Sequence, residues 1–135
     1  MSLHNLTQTV TILQERIEEF RYVFGRSEIS TRYGLIDPLV RELGWDTGSP
    51  GAVQFEHSYN FQHLFIADYM LMSGSQTVMV IEAQKHQNQR WGKSNSVHLV
   101  KTETQVPEKL QVCADQKIRF FALTDGTLWH AMAHI

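Results

Sequence analysis

Residues 64–84 read LFIADYMLMSGSQTVMVIEAQ and decide the fold of this chain. Two strand-like runs flank the turn Ser73-Gly74-Ser75, and both runs carry apolar residues on each of their alternating faces. Strands of this kind are covered on both sides, which is the condition of an α/β protein. The stretch therefore predicts a buried β-hairpin at the centre of an α/β domain.

Two acids interrupt these apolar runs. Asp68 lies within the first run, and Glu82 follows the apolar residues Val78 to Ile81 directly. An unpaired carboxylate in apolar surroundings is strongly unfavourable, so the two acids need a neutralising group. A divalent cation held between them is the simplest one, provided that the register sets the acids side by side. A metal bound by two acids indicates phosphodiester hydrolysis by a metal-activated water. Gln84, on the same strand face as Glu82, would orient that water.

The composition is that of a globular protein with one domain, residues 1–135. Hydrophobic residues make up 42% of the chain and charged residues 19%, and the formal net charge is −2. This charge argues against a protein that coats nucleic acid by charge alone, but it allows an enzyme with a local basic patch. A single cysteine, no apolar stretch of about 20 residues and no secretory signal favour a cytoplasmic protein without a membrane span.

Two helices are predicted before the hairpin. Apolar residues at three- and four-residue spacings indicate a first helix over about 6–24 and a second from Ser27-Glu28 to Gly44. Pro38 predicts a kink in the second helix near Ile36-Asp37. The expected inward-facing residues are Val10, Leu13, Ile17, Phe20, Phe24, Tyr33, Ile36, Leu39, Val40 and Leu43.

The remaining elements complete the sheet. A loop over 46–51 and a first strand over 52–57 lead into the hairpin. A polar loop over 86–101 follows it, and then come a short helix over 107–116 and two strands over 118–123 and 127–134. Thr124-Asp125-Gly126 is the turn between those last two strands. The predicted order is helix, helix, three strands, helix, two strands.

Further segments accompany the two acids: EISTR at 28–32, LIDPLVRELGW at 35–45, ADY at 67–69, VIEA at 80–83, RFFALTDG at 119–126, and Trp129. In this order they resemble the PD-(D/E)xK nuclease superfamily, in particular the N-terminal nuclease domain of type I restriction-enzyme motor subunits. Asp68, Glu82 and Gln84 match the three motif positions. The resemblance spans about residues 28–129, most of the chain.

The resemblance implies a restriction-endonuclease-like core, with a central mixed sheet of about five strands flanked by helices and an N-terminal helix (residues 1–25) packed on the core. It implies Mg²⁺-dependent cleavage of DNA, with Mn²⁺ as a substitute metal. It also implies an acid contributed by the early helix, and Glu28 matches that position as a third metal ligand. A carboxylate at a helix start also favours the helix dipole, so Glu28 has a purely stabilising interpretation as well.

The third motif position departs from the family pattern. Gln84 stands where the family usually has lysine, and Lys85 comes one place later. Glutamine aligns water through its amide but carries no positive charge, although some members of the superfamily function with it. Lys85 reaches the site face only if a bulge turns it there. Both an active nuclease and a catalytically degenerate module for DNA binding or protein assembly remain open interpretations.

The polar loop after Glu82 is either a solvated loop or a track for a phosphate backbone, with Trp91 as a stacking residue. His86 belongs to this basic stretch, and Gln105 and Lys109 could face the site from the following helix. The candidate catalytic residues are Asp68, Glu82, Gln84 and Lys85, and the candidate DNA-binding residues are Arg90, Trp91, Lys93, Lys101 and Lys109.

DNA is the expected partner, and a second copy of the chain is a further candidate. The sequence has no Walker-type phosphate loop, so a motor or specificity subunit would come from a separate polypeptide. Asp37 is interpreted as a structural residue and Asp125 as a turn residue.

Overall fold

The computed structural model describes residues 1–60, 64–84, 86 and 106–133. A helical half precedes a β-sheet in the chain. The elements are α1 (Leu3–Phe24), α2 (Glu28–Thr31), a π-helical segment (Arg32–Ile36), α3 (Asp37–Glu42), β1 (Val53–Asn60), β2 (Leu64–Ser73), β3 (Gln76–Ala83), α4 (Val106–Asp115), β4 (Phe120–Thr124) and β5 (Trp129–Ala133). In the part of the chain described, no helix has the length and apolar character needed to cross a bilayer.

The strands of the described ranges form one five-stranded sheet in the order β1-β2-β3-β4-β5. Neighbouring strands are antiparallel except for β3 and β4, which are parallel. A parallel pair needs a crossover connection, and the chain between Ala83 and Phe120, which contains α4, makes it. The predicted α/β class with a mixed five-stranded sheet is confirmed.

Both faces of the central strands are covered. Consecutive residues of β3 belong to different apolar clusters, because Val80 packs on the α4 side and Ile81 on the α3 side. The α4 cluster also contains Met70 and Phe121, whereas the α3 cluster contains Tyr69. The two-sided covering that the sequence predicted for this hairpin is therefore observed.

The second predicted helix is divided into three parts. The boundary between the π-helical segment and α3 falls between Ile36 and Asp37, where a kink was predicted. Pro38 lies in the first turn of α3, directly after the π-helical segment. The predicted inward positions of Tyr33, which lies in the π-helical segment, and of Leu43, which follows the end of α3, are wrong: these side chains are 71% and 43% exposed.

The helix α1 is also irregular near its end. Leu13 and Phe24 are buried in a cluster with Leu35, so α1 contacts the π-helical segment through these side chains. Val10 and Phe20 are exposed, and the prediction that they face inward is wrong. Phe20 has non-helical backbone angles (φ −117°, ψ 23°), which kink α1 at this residue.

Gly126, in the turn after β4, lies against the helical half. Its φ is +88°, and an added Cβ would lie 2.8 Å from Leu35 Cδ1 and 2.9 Å from Leu35 Cβ. Gly126→Ala therefore forces an alanine into a left-handed backbone conformation and makes its Cβ clash with the fully buried side chain of Leu35. We expect it to lower the free energy of unfolding by about 2–4 kcal/mol, measured by urea unfolding.

Gly74→Ala is the matched control, because Gly74 also has a positive φ (+61°) but no described atom within 4 Å of its added Cβ. This variant should lose only about 1 kcal/mol of unfolding free energy, because the positive φ alone is unfavourable for alanine. Equal losses at the two positions would contradict a role for the contact with Leu35.

Candidate acidic metal site

The register of the sheet sets the two predicted acids side by side. Tyr69 of β2 pairs with Ile81 of β3 in an antiparallel ladder, so the next position along the ladder places Asp68 beside Glu82. Side chains alternate across a strand, and both acids therefore lie on the face opposite to Tyr69 and Ile81, which is the α4 face. The hairpin register that the metal hypothesis needed is observed.

The Glu82 carboxylate is buried, with 8% of the residue exposed. Its Oε2 accepts a hydrogen bond from Lys109 Nζ at 2.7 Å, whereas its Oε1 has no hydrogen-bond partner among the described residues. Burial, and then the charge of Asp68, raise the pKa of Glu82 to about 7, although Lys109 opposes this shift. When Glu82 is ionised, only its Oε2 therefore has a positively charged hydrogen-bond donor among the described residues.

Asp68 is fixed to the backbone of the neighbouring strand. Its Oδ2 accepts a hydrogen bond from the Ala83 N–H at 2.7 Å. Burial raises the pKa of Asp68, and the Ala83 N–H and the charge of Arg32 offset part of the shift. The hydrogen bond holds the Asp68 carboxylate one residue from Glu82, without supplying a positive charge.

Glu56 extends the acidic row to a third strand. It lies opposite Asp68, between the β1 residues Phe55 and His57, which pair with Tyr69 and Ala67 of β2. Its φ of 56° departs from the strand conformation. Its carboxylate accepts a hydrogen bond from Arg32 Nη1, and its charge raises the pKa of Asp68.

Arg32, in the π-helical segment, connects the helical half to this row. Its Nη2 donates to the Asp68 carbonyl oxygen at 3.3 Å, and its guanidinium lies 4.9 Å from the centre of the Tyr69 ring. Burial alone would lower the pKa of Arg32, but hydrogen bonds to Glu56 and Tyr69 outweigh it and raise the pKa. The Tyr69 hydroxyl donates to buried Asp37, which gives Asp37 the structural role predicted for it.

Glu28 opens α2, one helical turn before Arg32, and is exposed. Desolvation of its carboxyl group, and then the charge of Asp68, raise the pKa of Glu28. Glu28 therefore interacts electrostatically with Asp68 and Glu56 of the strands.

Within the described residues, four carboxylates interact in this cluster with two cations. We call these residues the acidic cluster: Glu28, Glu56, Asp68, Glu82, Arg32 and Lys109. When all of them are ionised, two negative charges remain uncompensated. Together with burial, this surplus explains why the pKa values of Glu28, Asp68 and Glu82 are all raised.

The residues present fit a Mg²⁺ ion. Oxygen donors are the ligands that this ion prefers, and the sheet register sets Asp68 beside Glu82, whose buried Oε1 has no hydrogen-bond partner among the described residues. The described residues contain no group of three or more His, Cys, Asp or Glu side chains arranged around a common metal position. Glu28 is thus not seen as a third direct ligand. Mg²⁺ commonly keeps several waters and uses only one or two carboxylates.

The other predicted residues have different outcomes. Gln84 follows β3 directly, and its N–H donates to the Thr124 carbonyl at 2.9 Å. Lys109 contacts Glu82, so its predicted position facing the site is observed. The predicted site residues that lie outside the described part of the chain are Lys85, Arg90, Trp91, Lys93, Lys101 and Gln105.

His86 was assigned to the basic stretch that is either a solvated loop or a track for a phosphate backbone, and for this residue both interpretations are wrong. The residue is buried, its N–H donates to Thr31 Oγ1, and its Nδ1 lies 2.9 Å from Thr127 Oγ1. Burial lowers the pKa of His86, although the charge of Asp125 opposes this shift. Asp125 accepts hydrogen bonds from the N–H groups of Thr127 and Leu128, which confirms the turn role predicted for it.

Two members of the acidic cluster were missed from the sequence as site residues. Arg32 follows Glu28 by four residues, a spacing that puts two side chains on one helix face, so a usable signal existed. Glu56 gave no such signal, because its place opposite Asp68 depends on the pairing of β1 with β2.

The raised pKa of Glu82 predicts a pH-dependent loss of stability. The folded chain binds this proton up to about pH 7, whereas the unfolded chain releases it near 4.5. Stability must therefore fall as the pH rises between these values. Between pH 5 and pH 8 in EDTA, we expect wild type to lose about 2 kcal/mol more unfolding free energy than Glu82→Gln.

Glu15→Gln is the control for this measurement, because Glu15 is exposed on α1. Its urea-unfolding curves should follow the wild-type pH dependence. Parallel pH profiles for wild type and Glu82→Gln would contradict the raised pKa.

Comparisons with known proteins give no match. No protein-family model, no curated protein and no solved structure matches this chain. A function for the chain therefore has to be inferred from the acidic cluster and from the order of its sequence segments.

Proposed function

We propose that this chain is a Mg²⁺-dependent endonuclease-like enzyme that hydrolyses phosphodiester bonds of DNA on a restriction-endonuclease-like core. One observation carries the proposal: the register sets buried Glu82, whose Oε1 has no hydrogen-bond partner among the described residues, beside a second acid, Asp68, on the adjacent strand. The sequence segments that resemble the PD-(D/E)xK nucleases support it, because Asp68 and Glu82 are the acids of that pattern.

The acidic cluster favours a bound cation on electrostatic grounds. The surplus of negative charge raises the pKa of each of its three shifted acids, and a divalent ion would relieve that repulsion. Carboxylates must be ionised to bind a metal, so affinity should increase as the pH rises through the pKa of Glu82. A buried oxygen without a partner is otherwise a net loss of stability, since its desolvation is not repaid.

Each residue then has a defined part. When bound, Mg²⁺ would polarise the scissile phosphate and lower the pKa of a water molecule. Asp68 and Glu82 hold the ion, and Glu28 adds negative charge at longer range. Gln84 orients the attacking water through its amide. The candidate contacts to the DNA backbone are Lys85, Arg90, Trp91, Lys93, Lys101 and Lys109.

The proposed setting is cytoplasmic, with DNA as the substrate. A second copy of the chain would provide a second site for the opposite strand. A motor or specificity subunit on a separate polypeptide would direct cleavage to particular DNA.

Nicking of supercoiled plasmid tests the proposal. Wild type should nick DNA in Mg²⁺ or Mn²⁺ and stop when EDTA is added. Asp68→Asn and Glu82→Gln should each lower the single-turnover rate by about 100-fold or more, because each removes charge from the metal site.

Glu15→Gln serves as the matched control, since it neutralises an exposed acid of α1 that is not part of the acidic cluster. It should nick like wild type. Activity that survives EDTA, or equal nicking by wild type and Glu82→Gln, would reject the proposed function.

A second candidate function is a non-catalytic module that binds DNA or assembles with other proteins. Lys109 favours it, because its ammonium group already neutralises part of Glu82 without a metal. Gln84 favours it too, since it brings no positive charge to the third motif position. This module would bind DNA equally well with and without Mn²⁺, and calorimetry would detect no Mn²⁺ binding that depends on Glu82.

A further inference from the structure

The two oxygens of the Glu82 carboxylate have different surroundings. Oε2 accepts a hydrogen bond from Lys109 Nζ at 2.7 Å, and the side chains of this ion pair are both mostly buried, with 17% of Lys109 and 10% of Glu82 exposed. Oε1 is buried with no hydrogen-bond partner among the described residues. One carboxylate therefore presents one oxygen to a lysine and leaves the other for a different positive group.

This division means that a metal and Lys109 do not compete for the same atom. A cation shared with Asp68 can use Oε1 while the ammonium group keeps Oε2. An ammonium group has three N–H donors, so it can contact a carboxylate and a phosphate at once. Lys109 would then lie directly beside a cation bound to Glu82.

We propose that Lys109 is a catalytic residue of this site: from α4, it supplies the positive charge beside the metal that Gln84 cannot supply from β3. The inference rests on the proposed nuclease function and adds a specific residue to it. Gln84 has a neutral amide, and Lys109 is the lysine whose ammonium group contacts Glu82 in the described structure.

The role of Lys109 is electrostatic. In hydrolysis, the water oxygen bonds to phosphorus, the bond from phosphorus to the leaving sugar oxygen breaks, and solvent takes and returns the protons. Lys109 keeps its own proton throughout and contacts the non-bridging phosphate oxygens, where negative charge accumulates. The hydrogen bond to Glu82 Oε2 holds the ammonium group ready for that contact before DNA binds.

The experiment compares Lys109→Met, Lys109→Arg and Glu82→Gln by three readouts. Calorimetry measures Mn²⁺ binding without DNA. Fluorescence anisotropy measures the affinity for a short labelled DNA duplex in Ca²⁺, and single-turnover nicking in Mg²⁺ measures catalysis. Lys117→Met is the control, because Lys117 is an exposed lysine just after α4.

Lys109→Met should bind Mn²⁺ as tightly as wild type or more tightly, and Glu82→Gln should lose Mn²⁺ binding. The nicking rate of Lys109→Met should fall by about 100-fold, with Lys109→Arg recovering to within about tenfold of wild type. Lys117→Met should match wild type in all three readouts.

Two outcomes would overturn the role of Lys109 alone. Loss of Mn²⁺ binding in Lys109→Met would show that the lysine merely supports the carboxylate, and wild-type nicking by Lys109→Met would show that it has no part in catalysis. If wild type binds Mn²⁺ but does not nick DNA, the proposed function fails separately. In that case the affinity for the DNA duplex tests the role of Lys109. Binding by Lys109→Met that is about tenfold weaker than wild type supports the phosphate contact, and binding equal to wild type rejects it.

Discussion

The burial of Glu82 beside Asp68 is the constraint on which the arrangement of the site depends. The strands β2 and β3 are apolar on both faces, so helices must cover both sides of the sheet. The same covering removes water from the two acids. The interactions of Lys109 and Arg32 with these acids follow from this desolvation, because each brings positive charge to a carboxylate that water no longer solvates well.

The compensation that these cations provide is incomplete. A buried ion pair stabilises a protein only when its geometry and its additional hydrogen bonds offset the desolvation of both charges. Glu82 receives a cation at Oε2 and nothing from the described residues at Oε1. A buried polar atom without a hydrogen-bond partner lowers the stability of the fold. Such atoms are found preferentially at functional sites, where a ligand supplies the missing interaction.

The sequence predicted the central part of the fold because its information was local. Two-sided apolar runs identified β2 and β3, the turn residues joined them, and the helix before β4 followed from its spacing. The inward face of the helical half was less predictable, since a π-helical segment (Arg32–Ile36) interrupts the α-helical repeat. Regular periodicity gives no warning of this segment or of the helix end at Glu42, and so Tyr33 and Leu43 were expected to face inward.

The site likewise contains residues that the local sequence identified and residues whose place depends on tertiary packing. Asp68 and Glu82 were identified from the sequence as candidate partners, but their side-by-side placement depends on a register shift between Leu71 and Met72. Continued without that shift, the pairing of Met72 with Thr77 would set Asp68 opposite Ile81. Glu56 enters the cluster through the pairing of β1 with β2, and Arg32 through the packing of the helical half on the sheet. His86 lies near Glu82 in sequence, yet it contacts Thr31 and Thr127, not the acids. Sequence proximity to a motif therefore did not determine which side chains belong to the site.

The topology explains how a lysine from a distant part of the sequence reaches Glu82. Because β3 and β4 are parallel, the chain must cross over one face of the sheet between them, and α4 packs on the face where Glu82 projects. A residue on the sheet-facing side of α4 can therefore contact the end of β3, as Lys109 does. The electrostatic requirement is a positive charge near the Glu82 carboxylate, and any element within reach can provide it. Glutamine at position 84 consequently does not by itself remove that charge from the site.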